Sequence, residues 1–160
     1  MNWDELRQLQ KELDDRIMEK VEKTREDVKD DKLLAFMVEL AELANETRCF
    51  KYWSEKGPSA RHMILEEYVD GVHFLISIGL DYTYDFDPTA ESTEKTLTEQ
   101  FHQIYDLTQR FKLSPTQENY QQLITNYLIL GKTLGFHEAD IFEAYKEKNE
   151  VNHERQESGY

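Results

Sequence analysis

Glu39-Leu40-Ala41-Glu42 and, further along, Glu67-Tyr68-Val69-Asp70 decide how this chain is read. In each stretch two carboxylates stand at i, i+3 in a run whose apolar residues recur at helical spacing. Each pair therefore projects from one side of its helix. Around the first pair, Leu33, Phe36, Met37, Leu40 and Ala44 form an apolar stripe ending near Cys49, with Glu39, Glu42 and Glu46 on the neighbouring stripe. Around the second pair, a helix over about 60–80 is apolar on nearly every side, and such a helix is buried. Four carboxylates brought together in a bundle interior cannot all stay ionised without cations. Hard divalent ions with oxygen ligands, Mg²⁺ above all, supply the balance. Acids holding Mg²⁺ are in turn a receptor for a triphosphate.

Either pair alone reads as a charged surface; two pairs on consecutive helices, one too apolar for exposure, shift the reading toward a metal site. Glu67 projects between Met63, Phe74 and Ile78. Asp70 shares its stripe with Glu66, His73 and Ser77, which also reads as a solvated face. Glu46 reads as a surface acid before an outer ligand.

Outward from these two helices the rest of the chain is also helical. Asn2 and Glu5 make a capping box for a helix carrying Leu6, Leu9, Leu13, Ile17 and Val21, predicted to run to about residue 28, with Lys29-Asp30-Asp31 as an interruption. Gly57-Pro58 is a breaker. Residues 81–95, acidic, aromatic and rich in turn formers, read as a loop. A fourth helix spans about 95–112. Ser114, Pro115 and Gln117 signal the start of a fifth, which closes around Gly131 to Gly135, and a sixth runs from about His137 to the end. The expected fold is an all-α bundle of about six helices, built around the second, third, fifth and sixth, in one domain over 1–160.

Composition agrees. Hydrophobic residues are 39% and aromatics 12% of 160, too apolar for a disordered chain, and three prolines and six glycines leave room for long helices. A formal charge of −14 argues against a nucleic-acid partner, although it leaves room for a small anion carried by metal ions. No apolar run reaches transmembrane length and the first residues hold no signal-peptide core, so no membrane association is expected. The single Cys49 fits a reducing cytoplasm. There is no phosphate-binding glycine loop, nucleophile elbow or HExxH helix, and the five histidines lack zinc-ligand spacing.

Three further groups invite a ligand reading beside an ordinary one. Phe50-Lys51-Tyr52-Trp53, with Lys56, offers cations and flat rings next to the acidic helix; the plainer reading buries Trp53 in the core. Lys148, Asn149, Asn152, Arg155 and Gln156 place amides and cations at helical spacing near the C-terminus, either as anion contacts or as a frayed polar tail. Gln10 and Asp14, at i, i+4, suit a base edge and equally an exposed helix face.

Together these residues resemble the dimeric, all-α dUTPases, members of the wider MazG-like all-α NTP pyrophosphatase superfamily. Leu9-Gln10-Lys11-Glu12-Leu13-Asp14 is similar to that family's LQxxLN element. Glu39–Glu42 with Thr47 to Ser54 resembles its ELAxE…FKxW block, and Glu67-Tyr68-Val69-Asp70-Gly71-Val72-His73-Phe74 its ExxDGxHF stretch. The end, Tyr145 to Tyr160, resembles its YxxKNxxNxxRQxxGY tail. The likeness is weakest across 80–135. It implies a homodimer that hydrolyses dUTP, and also dUDP, to dUMP, with attack at the β-phosphorus. Glu39, Glu42, Glu67 and Asp70 would ligate two or three Mg²⁺ ions, Glu42 lying nearest the attacking water and Glu39 second. Gln10 would read uracil, Trp53 would line the nucleoside pocket with Lys51 nearby, and Lys148, Asn152 and Arg155 would engage phosphates. Asn149 would either join them or orient a metal ligand. The family has Asn where this chain has Asp14, and an ionised acid cannot donate to a base carbonyl. A sister pyrophosphatase acting on another nucleotide, such as dCTP, is therefore the first alternative; a non-catalytic helical interaction module is the second.

Overall fold

The computed structural model describes residues 2–159, so Tyr160, the last residue of the tail motif, lies outside the described residues. Six helices follow in order: α1 (Trp3–Lys20), α2 (Lys29–Thr47), α3 (Arg61–Tyr82), α4 (Leu97–Leu113), α5 (Gln117–Thr133) and α6 (Glu138–Glu157). No strand occurs among the described residues, and the fold is all-α.

Three boundaries differ from the sequence reading. α1 stops at Lys20, not 28, because Thr24 and Asp27 bond each other's backbone N–H (2.9 and 3.2 Å) and build a turn instead. Arg25 anchors that turn to Asp15 and to Asp81. α2 begins at Lys29, since Asp30 and Asp31 occupy its first turn, where the helix dipole favours acids. Ser114 ends α4, its N–H donating to Arg110 O at 2.9 Å, and the N-cap of α5 is Thr116, whose hydroxyl accepts from Asn119 N at 3.1 Å.

α3 runs through the middle, packed on α1, α2, α5 and α6, while α4 covers α2 and α5. The core is thus wider than the expected four-helix set. Leu6 and Leu13 of α1 are buried against α3 and α6, and Phe101, Ile104 and Phe111 of α4 are equally buried. α3 and α5 approach closely because tyrosines fill the space over glycines. Tyr68 lies over Gly131, Tyr127 over Gly71 and Tyr120 over Gly79. The Tyr68 and Tyr127 rings stack at 4.7 Å, and each hydroxyl donates to the other residue's backbone carbonyl (3.1 and 2.7 Å). Two buried phenols are thereby satisfied with no water.

Residues 83–96 form a pinned strap. Phe86 packs edge-on against Trp3 (5.2 Å) under Arg7, Tyr84 donates to Pro115 O (2.6 Å), and Gln121 bonds both faces of Asp87. The strap closes over α1 and α5 and lines no part of the large cleft described next.

Candidate metal and nucleotide site

A cleft of about 990 Å³ opens between α1, α2, α3 and α6. One end is largely apolar, walled by Leu13, Ile17, Met18 and Phe74, with Val21 and Val28 of the α1–α2 connection at its mouth. Glu39 and Asp70 stand at the other end with Lys148, while Asn152, Arg155 and Gln156 of α6 run along the wall, Gln156 O accepting from Lys20 Nζ at the end of α1. A shape with a greasy end and a charged end suits a nucleoside joined to phosphates.

The charged end rests on α2 and α3, whose extensive packing turns the two acid pairs toward each other. One oxygen each of Glu39, Glu67 and Asp70 lies within 4.8 Å of the others, and all three residues are half-buried. Glu42 is exposed, yet it stands close enough to Glu39 and Glu67 to push both carboxyls up. The four divide between two surfaces: Glu39 and Asp70 face the cleft, while Glu42 and Glu67 line an open groove on the other side with Val38 and Glu46. Burial, then the repulsion of Asp70, pushes Glu39 up to about 8. Burial, then Glu42, takes Glu67 to about 7, and burial raises Asp70 as well. Glu39 Oε2 is buried with no hydrogen-bond partner. A buried carboxylate oxygen without a donor, amid two other carboxylates, is the donor set a hard divalent cation takes up. The residues fit such an ion.

Lys148 reaches in from α6, donating to Glu66 (3.1 Å) and Asp70 (3.2 Å). Asn152 and Arg155 stand on the cleft wall beside it. Asn149 turns the other way: it is buried against α1, and its amide donates to Leu9 O at 3.4 Å. Glu46 accepts from the Ser59 hydroxyl and receives Ser59 N–H on its own carbonyl (3.0 Å), tying residues after the Gly-Pro break to α2.

The apolar end holds the largest departures from the plain sequence reading. Gln10 and Asp14 are 4% and 6% exposed, not surface groups, because α1 lays this face on α3 and α6. Gln10 Oε1 accepts from His73 Nδ1 (2.7 Å) and from the Tyr145 hydroxyl (2.5 Å), which fixes the amide so that Nε2 donates to Asp14 Oδ1 (2.9 Å). Asp14 Oδ2 accepts from Ser77 (2.8 Å). The Asp70 stripe is therefore not solvated, since His73 and Ser77 are buried. Burial keeps the imidazole neutral, its pKa lowered to about 3. Lys32 also enters this end of the cleft. It was missed because Lys29-Asp30-Asp31-Lys32 reads as a charged interruption, and nothing local distinguishes the one lysine that turns inward.

Lys51 and Trp53 are not brought to the cleft. Trp53 is 65% exposed and packs edge-on against Tyr52, itself 93% exposed, so the core reading of this indole is overturned. Geometry explains it: the turn follows the C-terminal end of α2, while Lys32 marks the apolar end near its start. Fifteen helical residues separate Lys32 from Thr47, a rise of about 22 Å.

The dUTPase family model matches residues 2–160. The chain belongs to the dUTPase family. No curated protein matches it. Membership makes the chain an enzyme, a nucleoside triphosphate pyrophosphohydrolase acting on dUTP. No helix among the described residues is long and apolar enough to cross a membrane.

Proposed function

We propose that the enzyme hydrolyses dUTP, and also dUDP, to dUMP with Mg²⁺ held by Glu39, Glu42, Glu67 and Asp70, releasing pyrophosphate from the triphosphate. The observation that carries this is the buried, partnerless Glu39 Oε2 within a three-carboxylate cluster at the charged end of a nucleotide-sized cleft. These residues would hold a divalent cation, whose chemistry there would be to make a water more acidic and offset charge on phosphate oxygens. Glu42, on the open side of the cluster, accepts the proton of the attacking water, and Glu39 is the buried anchor. Lys148, Asn152 and Arg155 hold phosphate oxygens; Lys148 exchanges part of its contact with Asp70 for the ligand. Gln10 and Asp14 face the base. Asn149 positions α6 on α1 and so sets the reach of its neighbours.

The active unit is a homodimer of single-domain chains, located in the cytoplasm, with no nucleic-acid or membrane partner. Its support is the exposed apolar surface of α2 and the following turn: Leu34, Val38, Phe50, Tyr52 and Trp53. Lys51 and Trp53, which this chain leaves outside its own cleft, join the nucleotide from the second copy. A panel of nucleotides assayed for product with Mg²⁺ and with EDTA tests the reading. Equal rates in EDTA remove the metal, and preference for a base other than uracil removes the assignment of the apolar end.

The acid cluster also gives a pH signature. Without metal, Glu39 and Glu67 keep their protons in the folded state to about pH 8 and 7, but in the unfolded chain only to about 4.5. Across that window the folded state binds more protons, so metal-free stability is fullest below about pH 4.5 and is lost as pH rises through 7 to 8. Mg²⁺ displaces those protons. In EDTA the melting temperature is expected to fall between about pH 5 and pH 8, and the rise caused by Mg²⁺ to widen over the same range. Parallel curves with and without Mg²⁺ would remove the cation from this cluster.

A further inference from the structure

Lys32 has no role in the reading above, yet its ammonium sits at the apolar end of the cleft with a side chain only 14% exposed. It is held by Asp81, whose side chain is 1% exposed, at 2.6 Å, and its second carboxylate is Asp14 at 4.0 Å. Arg25 shares Asp81 at 3.4 Å, so Asp81 is already compensated and fixes Lys32 in place. Burial pushes the Asp14 carboxyl up, and Lys32 is the first of the influences opposing it. Asp14 accepts on both oxygens, Oδ1 from Gln10 Nε2 and Oδ2 from the Ser77 hydroxyl, with the Lys32 ammonium 4.0 Å away, and a carboxylate in that setting offers acceptors alone.

The polar groups at this end then follow in order around Asp14. Gln10 Nε2 has a second N–H beyond the one given to Asp14, because its orientation is fixed by two donors on Oε1. Asp14 accepts. Lys32 has N–H groups beyond the one directed at Asp81. The cleft end presents donor, acceptor, donor. The edge of uracil runs carbonyl O2, N3–H, carbonyl O4: acceptor, donor, acceptor. Cytosine offers acceptor, acceptor, donor, and sets its N3 lone pair against the Asp14 carboxylate.

The geometry points to Lys32 as a specificity-determining residue, donating to a uracil carbonyl while holding Asp14 in the form that accepts uracil N3–H. This rests on the base occupying the Gln10–Asp14 end. It also answers the difficulty of an acid at a position where an amide donor is expected: the lost donor is supplied from α2. Asp14 and Lys32 work as a charge pair performing what one Asn side chain does with two atoms.

The test compares kcat and KM for dUTP and dCTP in Lys32→Met, Lys32→Arg, Gln10→Ala and the double variant Lys32→Met/Asp14→Asn, with folding followed by circular dichroism. Lys32→Met is expected to lower the dUTP-to-dCTP ratio of kcat/KM by roughly 10²-fold, chiefly through KM for dUTP, since the contact is remote from phosphorus. Lys32→Arg should recover part of that ratio. The double variant removes the bare carboxylate and keeps the comparison possible if Lys32→Met alone does not fold; it should regain uracil preference through the Asn amide. A folded Lys32→Met that leaves the ratio and both KM values at parental levels, or a folded double variant whose ratio stays roughly 10²-fold below the parent's, overturns the role and reduces Lys32 to a structural counter-ion. The two failures separate through Gln10→Ala. If it alters base preference while Lys32→Met does not, only the lysine assignment falls; if neither does, the base lies elsewhere.

Discussion

Glu42→Gln is expected to cut dUTP turnover roughly 10²–10⁴-fold, the range for removing a general base, with the fold retained and Mg²⁺ still bound, more weakly, through the other three acids. Glutamine keeps the volume and one oxygen, but it cannot take a proton. Glu42 is the exposed member of the acid cluster, lines the open groove, and lies near enough to Glu39 and Glu67 to raise both. Glu39→Gln should behave differently. Its carboxylate is the one repelled by Asp70, Glu42 and Glu67 together and the one with a buried, partnerless oxygen. An amide there can donate to the surrounding acids, so the metal-free protein should become more stable at pH 8 than the parent. It should show little stabilisation by Mg²⁺, and almost no activity. Turnover, Mg²⁺ titration by calorimetry and melting temperature in EDTA separate the two variants. Glu42→Gln within a few-fold of parental kcat would strip that residue of its role. Glu39→Gln that still gains the full Mg²⁺ stabilisation would move the cation away from the buried oxygen.

The largest effect on folding is expected from Gly71→Ala. A Cβ at Gly71 would overlap the Tyr127 hydroxyl and stand 2.6 Å from its ring carbon Cζ. Tyr127 has nowhere to go: it is fully buried, stacked on Tyr68, and donates to Tyr68 O at 2.7 Å. α3 and α5 would have to separate. A cost of about 3 kcal/mol follows from overpacking a close-packed core, which for a domain of this size lowers Tm by roughly 6–12 °C. Because Gly71 adjoins Asp70, the same shift displaces the acid cluster, and activity should fall more than the loss of folded protein explains. Gly57→Ala is the control, since nothing lies within 4 Å of a Cβ there. If Gly71→Ala melts within a degree or two of Gly57→Ala, the two helices are not packed as closely as described.

Much of the architecture was legible because it depends on local periodicity. Apolar stripes at helical spacing place α2 and α3, and i, i+3 spacing puts each acid pair on one side of its helix. The Gly57-Pro58 break and the gap at 83–96 lie where turn chemistry puts them. Two of the boundaries that moved did so where a short polar side chain competed for the backbone, as Thr24 with Asp27 and Thr116 do. Periodicity cannot weigh that competition.

What the sequence alone determined is an all-α chain with each acid pair on one side of its own helix, since helical geometry fixes which residues share a side. What only the tertiary structure decided is which polar residues are inside. Gln10, Asp14, His73 and Ser77 have the spacing of a solvated face and are buried because α3 meets α1 and α6 there. Lys32 looks like part of a charged break and turns into the cleft because Asp81, about fifty positions along the chain, holds it. Trp53 looks like core and is exposed because α2 carries it away from the bundle's greasy end. Burial of a polar group depends on a partner supplied by another helix, and no local pattern records which helix that is.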